Sequence, residues 1–155
     1  MSRLLKEKLR KFNLIAKAPN GQIAEDMIVY KKALYTHNRE LTPCIVKLLI
    51  PKGTLVRNRY SGIGCDYYLM NELAQYKCRA AKAKVLDIQV FSANKLRKHL
   101  KYACSMHTRR SKWCNIIRTP YRVGQMVYPN SFDLSNYECA EGIHFFVTRQ
   151  EALDY

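Results

Sequence analysis

The sequence predicts an α+β fold: a single compact domain with a mixed or antiparallel sheet and a few short helices. Two observations support this prediction. Short runs rich in β-branched and aromatic residues alternate with turn residues, and segments with helical spacing of apolar residues are interleaved with them. The 155 residues also fit one domain that buries a core without disulfides. We expect a globular domain over residues 23–155, preceded by a basic amphipathic helix or arm over residues 1–18.

The N-terminal segment has the pattern of a short amphipathic helix. Lysine and arginine fill most positions between apolar residues that recur at helical spacing. These apolar residues are Leu4, Leu5, Leu9 and Phe12. The turn residues at 19–21 end the segment. Such a helix can dock on the core or form a mobile basic arm, and the sequence leaves both arrangements open.

Apolar or alternating runs at residues 27–35, 44–50, 84–90 and 121–128 predict strands. Ser92 has the character of a helix N-cap, and apolar residues follow it on one helical face. They are Leu96, Leu100, Ala103 and Cys104. We therefore expect a basic helix of about three turns after Ser92.

The C-terminal block predicts a strand followed by a short helix. The strand would place Ile143, Phe145 and Val147 on one face and His144 and Phe146 on the other. Thr148 and Glu151 have the spacing of a capping box, which begins a helix. We expect residues 142–155 to be structural and to pack onto the main sheet.

The charge of the chain predicts an anionic partner. Lysine and arginine total 27 against 12 acidic residues, which gives a net charge of +15, and residues 88–132 contain no acidic residue. Such an excess favours nucleic acid or an acidic protein face, and interspersed aromatic rings are typical of single-strand binding. The candidate anion-binding residues are Lys95, Arg97, Lys98, Lys101, Arg109, Arg110, Lys112 and Trp113.

The acidic tail offers an alternative to an external partner. Asp133, Glu138, Glu141, Glu151 and Asp154 follow the basic middle of the chain. A basic middle beside an acidic end can close on itself or associate head to tail with a second copy. The sequence does not choose between these arrangements.

The cysteines suggest either zinc binding or a nucleophilic thiol, and a purely structural role is the alternative. Cys104, His107 and Cys114 include zinc ligands, but a structural site needs four, so we predict no metal and no cofactor. A possible cleft comprises Lys77, Cys78, Arg79 and His144, in which neighbouring cations would activate the thiol. The alternative is that the six cysteines are reduced and mostly buried as small apolar groups.

Three blocks together resemble an uncharacterised domain of large DNA viruses and phages, often found behind pentapeptide repeats. They are residues 45–51 (IVKLLIP); residues 77–80 (KCRA) with 83–88 (AKVLDI); and residues 121–124 (YRVG), 131–133 (SFD) and 139–146 (CAEGIHFF), closed by Thr148, Glu151, Ala152 and Tyr155. The resemblance spans about residues 27–155. It implies a viral protein and brings no mechanism, and the pentapeptide repeats are missing here.

Part of the same block is similar to ADP-ribosyltransferases. Residues 142–146 (GIHFF) resemble the G-I-Y-F strand of the poly-ADP-ribose polymerase group, and residues 48–53 and 84–88 resemble late strands of toxin-type members. Those enzymes require an acidic residue near the start of a strand, where this chain has Lys77, Cys78 and Arg79. The resemblance therefore implies a degenerate enzyme that binds NAD.

The sequence favours a non-enzymatic, basic viral domain that binds protein or nucleic acid, with a role in the virion or in assembly as one form of it. The degenerate transferase is the alternative. No apolar run reaches the roughly 18 residues that a membrane span needs. The first residues also lack the apolar stretch of a secretory signal. We therefore expect a protein of the host cell cytoplasm or nucleus, or of the virion, that is not secreted.

Overall fold

The computed structural model describes residues 2–59, 61, 77–90, 98–110, 116–137 and 139–155. The helices are α1 (Arg3–Ala16) and α2 (Arg149–Asp154). The strands are β1 (Met27–His37), β2 (Glu40–Ile50), β3 (Val56–Arg57), β4 (Cys78–Ala80), β5 (Ala83–Val90), β6 (Lys98–His99), β7 (Tyr102–Arg110), β8 (Ile116–Arg122), β9 (Met126–Val127) and β10 (Ile143–Phe145). The structure confirms a single compact domain, rich in antiparallel sheet and with few helices.

Two sheets organise the described residues. The larger has the strand order β6-β5-β2-β1-β7-β8, with β9 paired to β5, and the smaller has the order β10-β4-β3. The pairings between these strands are antiparallel. Between the sheets lies a core that is mostly aliphatic, with Met27, Val46, Leu48 and Ile88 among its buried side chains. The apolar alternation of the predicted strands supplies these residues.

The hairpin of β1 and β2 is the longest pairing in the structure. Its register runs from Met27 opposite Ile50 to His37 opposite Glu40. The two residues between the strands, Asn38 and Arg39, have φ angles of 47° and 68°. Positive φ at both positions is what a tight hairpin turn with right-handed strand twist requires, and asparagine tolerates it well. The turn therefore fixes the register of the central strands.

Helix α1 is docked on the core. The Ser2 hydroxyl accepts a hydrogen bond from the Leu5 amide at 3.2 Å and caps the helix. Phe12 and Ile15 are fully buried, whereas Leu4 is 65% exposed. The second half of the helix therefore packs on the sheet and its first turn extends into solvent.

The predicted basic helix after Ser92 is wrong over the residues that the structure describes. Residues 98–99 and 102–110 are strands, and residues 91–97 lie outside the described residues. Cys104 lies opposite Leu34 of β1, and Tyr102 lies opposite Arg122 of β8. Hydrogen bonds to distant strands hold this segment extended, and helical spacing of apolar residues carries no information about such partners.

The predicted strand at 121–128 is broken in two. Gly124 has a φ of 87°, and the Gln125 amide donates to the Arg122 carbonyl at 3.0 Å to close a turn. This turn carries the chain from β8 to β9, where Val127 lies opposite Ala83 of β5. Glycine enters the left-handed region without the Cβ clash that other residues meet there, which explains why the strand is interrupted at Gly124.

The C-terminal block forms the predicted strand and helix, and its two parts meet different sheets. Phe145 lies opposite Cys78 in the smaller sheet, and Phe146 forms backbone hydrogen bonds of 2.7 and 2.8 Å with Tyr30 of the main sheet. Helix α2 packs on the main sheet as predicted, with Ala152 in a buried cluster beside Ile45 of β2. The capping box is present: Thr148 and Glu151 exchange backbone–side-chain hydrogen bonds of 3.1 and 3.2 Å. The block thus joins the two sheets.

We predict that Phe145→Ala lowers the free energy of unfolding by about 3–5 kcal/mol, because the ring is fully buried and its removal leaves a cavity. Chemical denaturation with matched m-values measures this change. The control is Tyr137→Ala, which removes a ring that is 79% exposed and should cost less than about 0.5 kcal/mol. Equal stability of both variants would mean that the block is not part of the core.

Candidate anion-binding site

The structure describes part of the basic stretch that the sequence singled out. Lys98 and Lys101 are exposed. Arg109 and Arg110 end β7, and only their backbone is described. Lys95, Arg97, Lys112 and Trp113 lie outside the described residues. The described part of the stretch runs beside β5 and β8 rather than along a helix.

A surface of cations and rings lies where β5, β8 and β9 meet the start of β7. We call it the cation–aromatic patch, and its residues are Lys84, Lys101, Tyr102, Arg122, Met126 and Tyr128. Lys84 lies opposite Met126, and Tyr102 lies opposite Arg122. A small depression of about 150 Å³ is lined in part by Arg122, Met126 and Tyr128. The depression therefore links Arg122 of one strand pair to Met126 of the other.

The rings of this patch are available to a partner. Tyr128 is 63% exposed and Tyr102 is 42% exposed. The Arg122 guanidinium carbon lies 4.8 Å from the centre of the Tyr102 ring, within cation–π distance. Tyr121, the neighbouring aromatic residue, is buried, and burial raises the pKa of its hydroxyl. Tyr102 and Tyr128 thus present π-faces beside a positive charge.

The charge of the molecule is neutralised unevenly. The ion pairs described for lysine and arginine all involve helix α1, where Lys8, Arg10 and Lys11 contact carboxylates. In the part of the chain that the structure describes, the cations of the cation–aromatic patch form no ion pair with a carboxylate. Asp87, on the same strand as Lys84, contacts His99 Nδ1 at 2.9 Å instead. The positive charge of the patch is therefore not neutralised by carboxylates of the described residues.

None of the described ion pairs joins the acidic tail to the basic middle of the chain. Glu151 pairs with Lys8 of helix α1 at 2.7 Å. The Asp133 carboxylate accepts a hydrogen bond from the Ser135 amide at 2.7 Å within its own loop. Self-association through basic middle and acidic tail remains a prediction.

The cleft expected at residues 77–79 and His144 differs in composition. Cys78 and Arg79 are fully buried, because both faces of β4 are covered. Lys77 and His144, in contrast, line a common cavity. The structure thus brings two of the four residues together at an accessible surface and places the other two in the core.

Arg79 organises the loop that precedes β10. Its guanidinium donates to the backbone carbonyl oxygens of Asp133 at 2.8 Å and Glu141 at 2.9 Å, and also to that of Ser135. Burial lowers the pKa of Arg79, which is what desolvation does to a cation. At Gly142 a Cβ atom would lie 3.1 Å from the Arg79 side chain, so glycine permits this close approach. The arginine therefore holds the loop by buried, charge-assisted hydrogen bonds.

The cavity beside β10 has a volume of about 330 Å³. It is lined by Lys31, Lys32, Lys77, Met106, Cys139, His144, Phe146 and Tyr155. It opens because β1 changes partners: Tyr30 bonds to Phe146, whereas Ala33 lies opposite Ser105 of β7. Lys31 and Lys32 lie between these two contacts.

Three lysine side chains line this cavity, and each amine contacts a different partner. Lys31 Nζ donates to the His144 carbonyl oxygen at 2.9 Å, and Lys77 Nζ lies 3.7 Å from Cys139 Sγ. Lys32 Nζ donates to the Leu153 carbonyl oxygen at 3.4 Å. Burial, assisted by the charge of Lys77, lowers the pKa of Lys31 to about 8. The cavity therefore combines positive charge with an amine that loses its proton readily.

The sequence reasoning missed Lys31 and Lys32. Lys31 shares its side of β1 with Val29 and Ala33, which are fully buried. A lysine on the same strand face as core residues is the signal that the sequence offered, since lysine is rarely placed inside a core. No local sequence pattern indicates that the ring of Tyr155 lines the cavity or that β1 changes its pairing partner there.

The thiols and possible ligand groups give no metal centre within the described residues. Groups of three or more metal-ligating side chains are absent there. Cys44, Cys78, Cys104 and Cys139 form no disulfide, and the first three are buried. Cys114 and the His107 side chain lie outside the described residues. None of the described helices is long and apolar enough to cross a membrane.

Comparison with known protein families gives a match over most of the chain. Residues 16–152 match a family that is described as a family of unknown function (DUF5758). No curated protein and no solved structure matches the chain significantly. The match covers both sheets and the residues that line the cavity except Tyr155.

We predict that Arg79→Met lowers the free energy of unfolding by at least about 2 kcal/mol, because it leaves the three backbone carbonyl oxygens without their buried donor. Thermal and chemical denaturation measure the change. Arg3→Met, on the exposed start of helix α1, is the matched control and should stay within about 0.5 kcal/mol of the native protein. Equal effects would show that the loop does not depend on Arg79.

Proposed function

We propose that this chain, which belongs to the family of unknown function DUF5758, is a non-enzymatic domain that binds single-stranded nucleic acid on the cation–aromatic patch. The observation that carries the proposal is the Arg122–Tyr102 contact. It presents a guanidinium and an exposed ring 4.8 Å apart on one surface. Single-strand binding needs this combination of phosphate neutralisation and base stacking.

The rings favour nucleic acid over an acidic protein face. An acidic protein would require only the cations, and exposed ion pairs contribute little each. Tyr102 and Tyr128 instead offer exposed π-faces on which unpaired bases stack, with about 1–3 kcal/mol per base. The exposed cations Lys84 and Lys101 flank them and would contact the phosphates. The ligand of this proposal is therefore a strand with unstacked bases rather than a duplex.

We further propose that the protein acts in a virus, as a component of the virion or of its assembly, in the host cell cytoplasm or nucleus. The support is the resemblance of the blocks at 45–51, 77–88 and 121–155 to a domain of large DNA viruses. Mass spectrometry of purified particles tests this role. Peptides of this chain in the particle support it, and their absence from particles of an infection that expresses the chain would refute it.

We predict that the protein binds labelled oligo-dT at low salt and that two single variants weaken binding differently. Arg122→Gln should make the negative slope of log K against log salt shallower by about 0.7, because one phosphate of the single strand is no longer neutralised. Tyr102→Ala should weaken binding about 5- to 150-fold and leave the slope unchanged, because stacking is not a counterion effect. Fluorescence anisotropy over a range of salt concentrations measures both.

Matched controls separate the patch from the overall charge. Arg3→Gln removes an exposed cation on helix α1, and Tyr137→Ala removes an exposed ring outside the patch. Both should bind as the native protein does. Failure to bind any single strand at low salt would refute the proposal, and so would an Arg3→Gln variant that binds as weakly as Arg122→Gln.

A further inference from the structure

The cavity beside β10 has a different chemistry from the cation–aromatic patch. Its three lysines supply positive charge, and none of its described lining residues carries a carboxylate side chain. Phe146 and Tyr155 add an apolar wall, with ring centres 5.1 Å apart. A pocket of about 330 Å³ with these walls fits a small anion that has an apolar portion.

Lys31 occupies a distinctive place in this pocket. Besides the pocket itself, it lines an adjacent cavity of about 300 Å³, together with Cys139 and His144. Its ammonium group lies 6.0 Å from the centre of the Tyr121 ring and has a backbone carbonyl, not a carboxylate, as its described hydrogen-bond acceptor. The amine therefore contacts a neutral carbonyl and a neutral ring, and the Lys31 side chain lines both cavities.

The surroundings of Lys31 increase the fraction of its amine that is neutral. Burial and the Lys77 charge lower its pKa to about 8 from the ordinary value of 10.5. The titratable groups that line the cavity with it are Lys32, Lys77, Cys139, His144 and Tyr155, and Tyr121 and Glu141 line the adjacent cavity. Near neutral pH the nucleophilic fraction is on the order of 100-fold larger than for an exposed lysine. Desolvation beside another cation is a known way to activate a lysine.

We propose that this cavity binds a small aldehyde or ketone carrying a phosphate or carboxylate group, and that Lys31 forms an imine with its carbonyl carbon. Lys32 and Lys77 would hold the anionic group, and the apolar wall would receive the rest of the molecule. This activity is independent of nucleic-acid binding, because the cavity and the patch have no lining residue in common.

The reaction balances without an oxidant or reductant. The nitrogen lone pair of neutral Lys31 forms a C–N bond, and the carbonyl π electrons move to oxygen, which takes a proton. Loss of the remaining nitrogen proton and of the hydroxyl group as water gives the C=N bond. His144, which lines the same cavity, would transfer the proton through its imidazole. Hydrolysis reverses each step.

Pyridoxal 5′-phosphate is a suitable probe, since it combines an aldehyde, a ring and a phosphate group. The full chain is incubated with substoichiometric probe, reduced with borohydride to fix the imine as a secondary amine, and mapped by peptide mass spectrometry. We expect the label at Lys31. Inorganic phosphate should compete. Pyridoxal without the phosphate should label Lys31 at least about tenfold less, because it cannot form the charge-assisted hydrogen bonds that the phosphate accepts.

Variants complete the test. Lys31→Arg keeps the charge and should abolish the label, whereas Lys52→Arg, at an exposed lysine, should leave it unchanged. Circular dichroism and a thermal melt confirm that each variant is folded. If Lys31→Arg does not fold, the phosphate competition and the pyridoxal comparison on the native protein decide. A label spread over exposed lysines such as Lys6 and Lys52, or one indifferent to phosphate, would overturn the proposal.

Discussion

The pairing of β1 with β2 is the constraint on which the other elements depend. The turn at Asn38 and Arg39 sets its register, and each strand then has one edge left to offer. Strand β2 gives its free edge to β5. Strand β1 divides its edge between β7 and the residue after β10. Because two partners approach one edge from different directions, a gap remains between them. The lysine-lined cavity occupies that gap, so it follows from the topology of the sheet.

The wall of the cavity depends on a second interaction, the burial of Arg79. A buried guanidinium is unfavourable unless hydrogen bonds replace its water, and backbone carbonyl groups of a loop are costly to bury for the same reason. Each supplies what the other lacks, since the guanidinium of Arg79 contacts the carbonyl oxygens of Asp133, Ser135 and Glu141. The loop so held contains Cys139 and leads into β10, from which His144 faces the cavity.

Local patterns predicted the parts of the fold that local physics determines. The strands at 27–35, 44–50 and 84–90 alternate or bury both faces, and the capping box at Thr148 needs only residues within one turn. The helix prediction for the segment after Ser92 was wrong because the hydrogen-bond partners of this segment lie on β1, β5 and β8, far along the chain. The candidate site followed the same division. Charge and aromatic content pointed to the basic stretch, whereas the cavity required knowledge of which strand edge stays open.

The uneven charge of the molecule has an energetic consequence for both proposed sites. Lysines that face one another without carboxylates repel, and the charge of Lys77 adds to burial, the larger cause, in lowering the pKa of Lys31. The fold tolerates it although helix α1 shows that this chain can neutralise cations with ion pairs. An anion that binds only the folded chain relieves the repulsion and stabilises the fold by mass action. Relief of the repulsion between the lysines therefore contributes to the free energy of anion binding. For this reason, clustered cations without carboxylates indicate a ligand more strongly than net charge does.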